Sequence, residues 1–194
     1  MLRKVVIALA LVTSIACTDT AQPSQLEDLE AEGAEPYARA FSLDIHEAVR
    51  RLRLQDEAPA AINSLQTEFA PRLAGLFYQH EPDFRLVLRL TGGQRVNDRI
   101  VELPSGALHV SFIVGAAASY DELKLAAQSH DLQLLAKFPE IRSVSADQRT
   151  GKILIRIRSA QEHHAGWQNR KADFETTLGH PVELQFLDPQ SRVF

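Results

Sequence analysis

Apolar residues recur along most of the chain at spacings typical of helices and strands. From the cap signal Ser42-Leu43-Asp44 onward, apolar residues return at helical spacing and predict a helix whose other face carries Arg50, Arg51 and Arg53. Pro59 suits the first turn of a second helix, and Pro71 ends that helix. We therefore expect two antiparallel helices at the start of the globular part.

The apolar period then changes to two, which is typical of half-buried strands. Residues 73–79 and 84–90 predict a hairpin, with its turn at His80-Glu81-Pro82-Asp83. Further strands are predicted over 100–103 and 108–114. A second hairpin over 141–147 and 153–158 turns around Gly151 and points alternate isoleucines inward.

Helices flank the second hairpin. Ser119-Tyr120-Asp121-Glu122 is a capping box and predicts a helix to about Lys137. Another helix is predicted over 161–178, with Trp167 in the core and Gly179 ending it. Pro181 to Leu187 then predicts an edge-type strand with alternating Val182, Leu184 and Phe186. The element order predicts an α+β fold of two small helix and hairpin units with mostly antiparallel sheets, each covered by helices on one face.

The unit boundaries follow from this order. The first α+β unit is expected over residues 37–114, the second over 115–187, and a tail over 188–194. Residues 1–16 form a predicted signal peptide, because Arg3 and Lys4 precede an apolar run that is too short to span a membrane. We expect the protein to be exported and to carry no transmembrane helix in its mature form.

Cys17 is the only cysteine, and it follows Ser14-Ile15-Ala16 directly. This string resembles a bacterial lipobox, which implies that the chain is cleaved before Cys17 and acylated there. Several acyl chains on one residue would anchor the protein stably at a membrane. Thr18 is not the aspartate linked to inner-membrane retention, which favours an outer-membrane lipoprotein facing the periplasm. Cleavage after Ala16 or Ala21, with Cys17 incidental and the product soluble or secreted, is the alternative.

Charged residues are unevenly distributed along the chain. The sequence has 21 Lys and Arg against 25 Asp and Glu, a net charge of −4. Six acids and no base lie between residues 18 and 36, so we predict an acidic, extended tether over 17–36. A short, solvated helix around Leu26 to Glu32 is the alternative within this segment. Residues 37–194 then hold equal numbers of bases and acids. This balance lacks the basic field typical of nucleic-acid binders, and we expect no nucleic-acid partner.

Motifs for catalysis or cofactors do not occur. The serines lack a nucleophile motif, there is no phosphate-binding glycine loop, and the seven histidines lack metal-ligand spacing. His163 and His164 are adjacent and would point to different sides of a helix. We expect a non-enzymatic protein with no cofactor and no metal site.

Four strings together resemble a known family: Glu47 to Glu57, Ala74 to Phe84 with the strand Arg85 to Gly92 after it, Asp147 to Ile155, and Gly179-His-Pro-Val-Glu-Leu184. They are similar to the two-lobed pro-regions of secreted bacterial chymotrypsin-like serine proteases, the α-lytic protease and streptogrisin group. The similarity covers about residues 37–187, and the sequence ends where a protease domain would begin. It implies an α+β protein that acts without a protease domain of its own.

In that family the pro-region assists folding of its protease and then inhibits it. The resemblance implies that a secreted trypsin-like serine protease is the partner here. It also implies that the edge strand and the tail add to the protease cleft, which makes candidate contacts of Pro181, Val182, Leu184, Phe186, Val193 and Phe194. A structural or general binding lipoprotein that keeps the fold without a protease partner is the alternative.

Overall fold

The structure is a computed structural model that describes residues 23–188. Its helices are α1 (Pro23–Phe41), α2 (Ile45–Glu57), α3 (Pro59–Phe69), α4 (Tyr120–Lys137), α5 (His164–Asn169) and α6 (Lys171–Leu178). Its strands are β1 (Leu73–Gln79), β2 (Arg85–Thr91), β3 (Arg99–Leu103), β4 (Gly106–Ala116), β5 (Ile141–Asp147), β6 (Lys152–Arg158) and β7 (Val182–Leu187). Single 3-10 turns cover Ala70–Arg72 and Gln161–His163.

The strands form two sheets, which confirms the α+β fold. The first sheet has the order β1-β2-β4-β3, and the second has the order β5-β6-β7. Each begins with an antiparallel hairpin and continues with a strand parallel to the second hairpin strand, since β4 pairs with β2 and β7 with β6. In the first sheet β3 adds an antiparallel edge to β4. Both sheets are therefore mixed: antiparallel pairs outnumber parallel ones two to one in the first sheet, and the second sheet has one pair of each kind.

Two separate apolar clusters hold the sheets against helices. The first joins α2 and α3 to the sheet through Leu54, Leu65 and Leu88. The second joins α4, α5 and α6 to the sheet through Leu123, Trp167 and Ile155. The clusters share no residue, so each unit has a core of its own. The buried Trp167 confirms its predicted place in the core.

Local signals place the helix ends where the sequence predicts them. Asp44 caps α2 by accepting the Glu47 amide at 3.0 Å. Ser119 and Glu122 form both halves of the capping box of α4. Gly179 ends α6 in the left-handed region, with φ of 70°.

The prediction of an extended tether is wrong over residues 23–36, which belong to helix α1. Residues 23–36 of the segment expected to be extended are helical, and Pro36 lies inside the helix. The reason is a small apolar face of α1. Ala34 is fully buried and packs with Ala38 of the same helix and with Ala48 of α2. The negative charge does not prevent this packing, because Glu35 lies on the exposed side and pairs with Arg39 at 3.1 Å.

Arg51 lies on the face of α2 opposite the predicted apolar face, and it is nevertheless shielded from solvent. It is buried, its Nε lies 2.6 Å from a Glu47 oxygen, and its Nη1 donates to the His80 carbonyl at 3.0 Å. The guanidinium lies 5.4 Å from the centre of the Phe84 ring. Arg51 thus ties α2 to the first hairpin, because the carboxylate, the carbonyl and the ring together replace its water.

The last predicted helix is divided. One 3-10 turn, α5 and α6 replace a continuous helix over 161–178, and the break lies at Arg170. The Arg170 amide bonds to the Trp167 carbonyl three residues back at 3.0 Å, which tightens the chain there. Trp167 and Phe174 still reach the same apolar cluster from either side of the break.

Candidate functional site

Strand β7 lies at one edge of the second sheet. It pairs with β6 without a register shift, from Ile153 opposite Val182 to Arg158 opposite Leu187. Gly179 turns the chain after α6, and Pro181 precedes the strand, a position where a missing amide costs no ladder bond. The edge strand predicted over 181–187 is therefore present, in parallel orientation.

The backbone groups of β7 alternate between β6 and the free side. The Pro181 carbonyl accepts the Ile153 amide at 2.9 Å, and the Leu187 carbonyl accepts the Ser159 amide at 3.4 Å. Because amide and carbonyl directions alternate along a strand, the groups of Leu184 and Phe186 point away from β6. Among the described residues no side chain bonds to these outward groups. We call them, with the backbone between them, the β7 edge.

Glu175 of α6 accepts a hydrogen bond from the first outward amide of β7. Its Oε1 accepts the Val182 amide at 3.0 Å and lies 3.5 Å from the Lys171 ammonium. The Val182 hydrogen bond is the main reason that the pKa of Glu175 is lowered, and Lys171 adds to it. The carboxylate thus holds the start of β7 against α6, and within residues 23–188 it does not reach the outward groups from Leu184 onward.

The side chains on the core face of β7 belong to the second core. Val182 is fully buried, and Leu184 and Phe186 are partly buried against the same cluster. The His164 ring stacks on Phe186 with centroids 3.8 Å apart, and its Nε2 is hydrogen-bonded to the Ser159 carbonyl at 3.1 Å. Of the predicted contacts, Val182 has no surface for a partner, whereas Pro181 is exposed.

The other face of β7 is polar and carries no helix. Glu183 lies 3.3 Å from the Lys152 ammonium, and Gln185 accepts from Arg156 at 2.8 Å. Both contacts reach across to β6, so they support the parallel register without closing the outer edge.

The remaining sheet edges are less open. Strand β1 has a register shift between Leu73 and Gly75, and β5 has one between Ile141 and Ser143. Strand β3 has five residues and carries charged side chains. One of them, Arg99, forms a bidentate ion pair with Glu68, with nitrogen to oxygen distances of 2.6 and 2.7 Å. Irregular pairing and charged side chains are common ways to block the addition of a strand. The β7 edge has neither a shift nor a charged side chain on its core face.

Strand β1 shows what an occupied edge looks like in this protein. The Leu76 amide donates to the Gln148 side chain at 3.0 Å, and Arg149 donates to the Tyr78 carbonyl at 3.0 Å. Arg149 also lies over the Phe77 ring at 4.7 Å. The turn of the second hairpin thus satisfies the outward groups of β1 and joins the two units.

Gly75 is required at this junction. A Cβ on Gly75 would lie 2.2 Å from the Gln148 carbonyl oxygen, closer than atoms can approach. Only a residue without a side chain allows β1 and the turn after Asp147 to come this close.

Sequence reasoning found part of this site. The edge position of residues 181–187 follows from their pattern and their place near the end of the fold. Glu175 and His164 were missed, because their contacts with β7 join residues whose spacing carries no motif. Three predicted residues, Cys17, Val193 and Phe194, lie outside residues 23–188.

Comparison with known proteins adds no relative. No family model matches the chain, and the comparison with curated proteins gives no match. Within residues 23–188 no helix is long and apolar enough to cross a membrane. The same residues contain no group of three or more His, Cys, Asp or Glu side chains that could hold a metal ion.

Proposed function

We propose that this chain is an exported, non-enzymatic binding protein of the cell envelope that engages a trypsin-like serine protease as an inhibitor or folding assistant. The observation that carries the proposal is the open, regular β7 edge. A partner segment in extended conformation can add there as a further strand, with main-chain bonds to Leu184 and Phe186. The resemblance to protease pro-regions supports the choice of partner class.

The face of the sheet supports selectivity for such a partner. A strand added beside β7 would lie next to the polar row of Glu183 and Gln185 on one side and near the His164 and Phe186 stack on the other. Alternate side chains of the partner would therefore meet a charged and an apolar surface. A protease presents extended segments around its cleft, which fits this mode of recognition.

Proline substitution tests strand addition directly. Leu184→Pro removes the outward amide and keeps the bonds to β6, because an edge strand tolerates proline where the amide faces away from the sheet. Leu184→Ala is the matched control, since it loses the same side chain and keeps the amide. Inhibition of trypsin-like proteases from the same envelope is measured with the full chain, as is the yield of their refolding.

Loss of a main-chain bond of about 1 to 1.5 kcal/mol weakens binding about tenfold. We expect Leu184→Pro to show this loss beyond that of Leu184→Ala. Equal effects of both variants would exclude pairing through this amide. A wild-type chain that neither inhibits nor promotes refolding of any such protease would refute the proposed function.

We also propose that Cys17 is acylated and anchors the protein to the outer membrane. The support is the lipobox-like string before Cys17, with an acidic segment after it. Metabolic labelling with a palmitate analogue should label the wild-type chain and not Cys17→Ala. Label retained in Cys17→Ala would contradict the anchor without bearing on the protease partner.

A further inference from the structure

The outward side of α4 carries the two most exposed large apolar side chains among residues 31–188, for which side-chain exposure is described. Leu125 is 66% exposed and Leu132 is 80% exposed. They are seven residues apart, two turns of the helix, and so lie on one line. The inward side already packs on the second sheet through Leu123, Ala127 and Leu134. A helix that is apolar on both sides points to a second packing partner.

The exposed line is also free of charge. Between Leu125 and Lys137 its exposed neighbours are Gln128, Ser129, Gln133 and Ala136. We call this surface, Leu125 to Ala136 on the outer side of α4, the α4 stripe. Small residues such as Ser129 and Ala136 leave room for the side chains of a facing helix.

We propose that the α4 stripe binds a second copy of this chain, with the two α4 helices antiparallel. A two-fold axis between Gln128 and Ser129 places Leu125 of each copy against Leu132 of the other. Such an interface is self-complementary, because one surface supplies both halves. An antiparallel pair also sets the two helix dipoles in opposite directions.

Charge complementarity favours this partner and this orientation. Lys124 and Asp131 lie on one flank of the stripe, again two turns apart, and neither has an ion-pair partner among the described residues. In an antiparallel pair the same flank of both helices meets, so Lys124 of each copy approaches Asp131 of the other. Two ion pairs would then flank the leucine contacts.

The dimer is weak and leaves the β7 edge free. The outer side of one helix falls short of the roughly 800 Å² per partner typical of stable complexes, so the dimer dissociates on dilution. Helix α4 packs mainly on β5, at the opposite edge of the sheet from β7. Self-association and strand addition therefore use different surfaces, and each can be tested without the other.

Sedimentation velocity on the full chain in a Cys17→Ser background, from low micromolar to millimolar concentration, tests the dimer. We expect concentration-dependent dimers for the parent, and for Leu132→Lys at least about tenfold weaker association, since each dimer loses the leucine contact twice. Ile113→Lys is the control, because Ile113 is also half exposed but lies on the first sheet. A parent that stays monomeric throughout, or equal losses in both variants, would overturn the proposal.

Charge reversal tests the orientation. Lys124→Glu and Asp131→Lys should each weaken association, because each sets like charges against each other across the interface. The double variant restores two opposite pairs and should recover association to near the parent level. Dimers that tolerate both single variants, or a double variant weaker than either single one, would rule out the antiparallel arrangement.

Discussion

The two units share a plan and differ at their edges. In each, at least one helix precedes a hairpin, and a later strand runs parallel to the second strand of the hairpin. In the first unit the crossover contains β3, which then covers β4, and β1 is bonded by Gln148 and Arg149. In the second unit the crossover is helical, and no strand of residues 23–188 pairs with the outer side of β7.

The outward backbone groups of the two edge strands β1 and β7 therefore differ in their hydrogen bonding. The first sheet has its outward groups at Leu76 and Tyr78 taken up by the turn of the second hairpin. The corresponding outward groups of β7, at Leu184 and Phe186, have no such neighbour in the part of the chain that the structure describes. The first unit therefore contacts the second through β1, and the outer edge of β7 in the second unit is the surface on which we propose that a partner strand adds.

Core substitutions give the largest expected effects. Leu88→Ala in the first core and Ile155→Ala in the second should each cost about 2–5 kcal/mol, because both side chains are fully buried. Since the clusters share no residue, hydrogen exchange should report lost protection mainly in the unit that carries the substitution. Equal loss in both units would mean that the junction makes them one cooperative body.

The junction itself gives the next largest effect. Gly75→Ala forces β1 away from the Gln148 carbonyl and should cost about 1–3 kcal/mol in chemical denaturation. Gly93→Ala is the control, because a Cβ there meets no atom within 4 Å. If the two variants were equally stable, the turn of the second hairpin would not hold β1 as described.

Acid should weaken the first unit through Glu47. Hydrogen bonds from Arg50 and Arg51 lower the pKa of Glu47 from 4.5 to about 2. The unfolded chain therefore takes up this proton first, and the stabilisation present above pH 4.5 is lost as pH falls toward 2. Thermal unfolding of Glu47→Gln should show a deficit at neutral pH that shrinks with acid, and a constant deficit would contradict this.

The smallest effect is expected at the start of β7. Glu175→Gln keeps an acceptor for the Val182 amide and removes the charge, so the fold should remain and only a slight loss of stability should appear at neutral pH. Because the pKa of Glu175 is lowered, the loss should disappear as pH falls below its ordinary value. Thermal unfolding at several pH values measures this, and a deficit that grows in acid would be inconsistent with the contact.

Local signals explain why much of the fold could be predicted. The capping box at Ser119, the cap at Asp44 and the glycine at 179 each act within one turn of chain, so the sequence alone places those helix ends. Alternation likewise predicts β5, β6 and β7, because burial of one sheet face imposes a period of two. For the candidate site, the same pattern predicts the strand but not its contacts with Glu175 and His164. The Glu175 contact with Val182 spans the turn after α6, and the His164 contact with Phe186 spans most of the helical crossover.

Sequence by itself determined the local elements and the existence of two apolar clusters, since spacing, caps and turns are properties of neighbouring residues. Tertiary structure alone decided the helical state of residues 23–36, the burial of Arg51, the parallel pairing of β7 and the occupation of the β1 edge. Each of these depends on a partner distant in sequence: Ala48 for α1, His80 for Arg51, β6 for β7 and Gln148 for β1. Such contacts carry no periodic signal, because their free energy arises only when the chain brings the partners together.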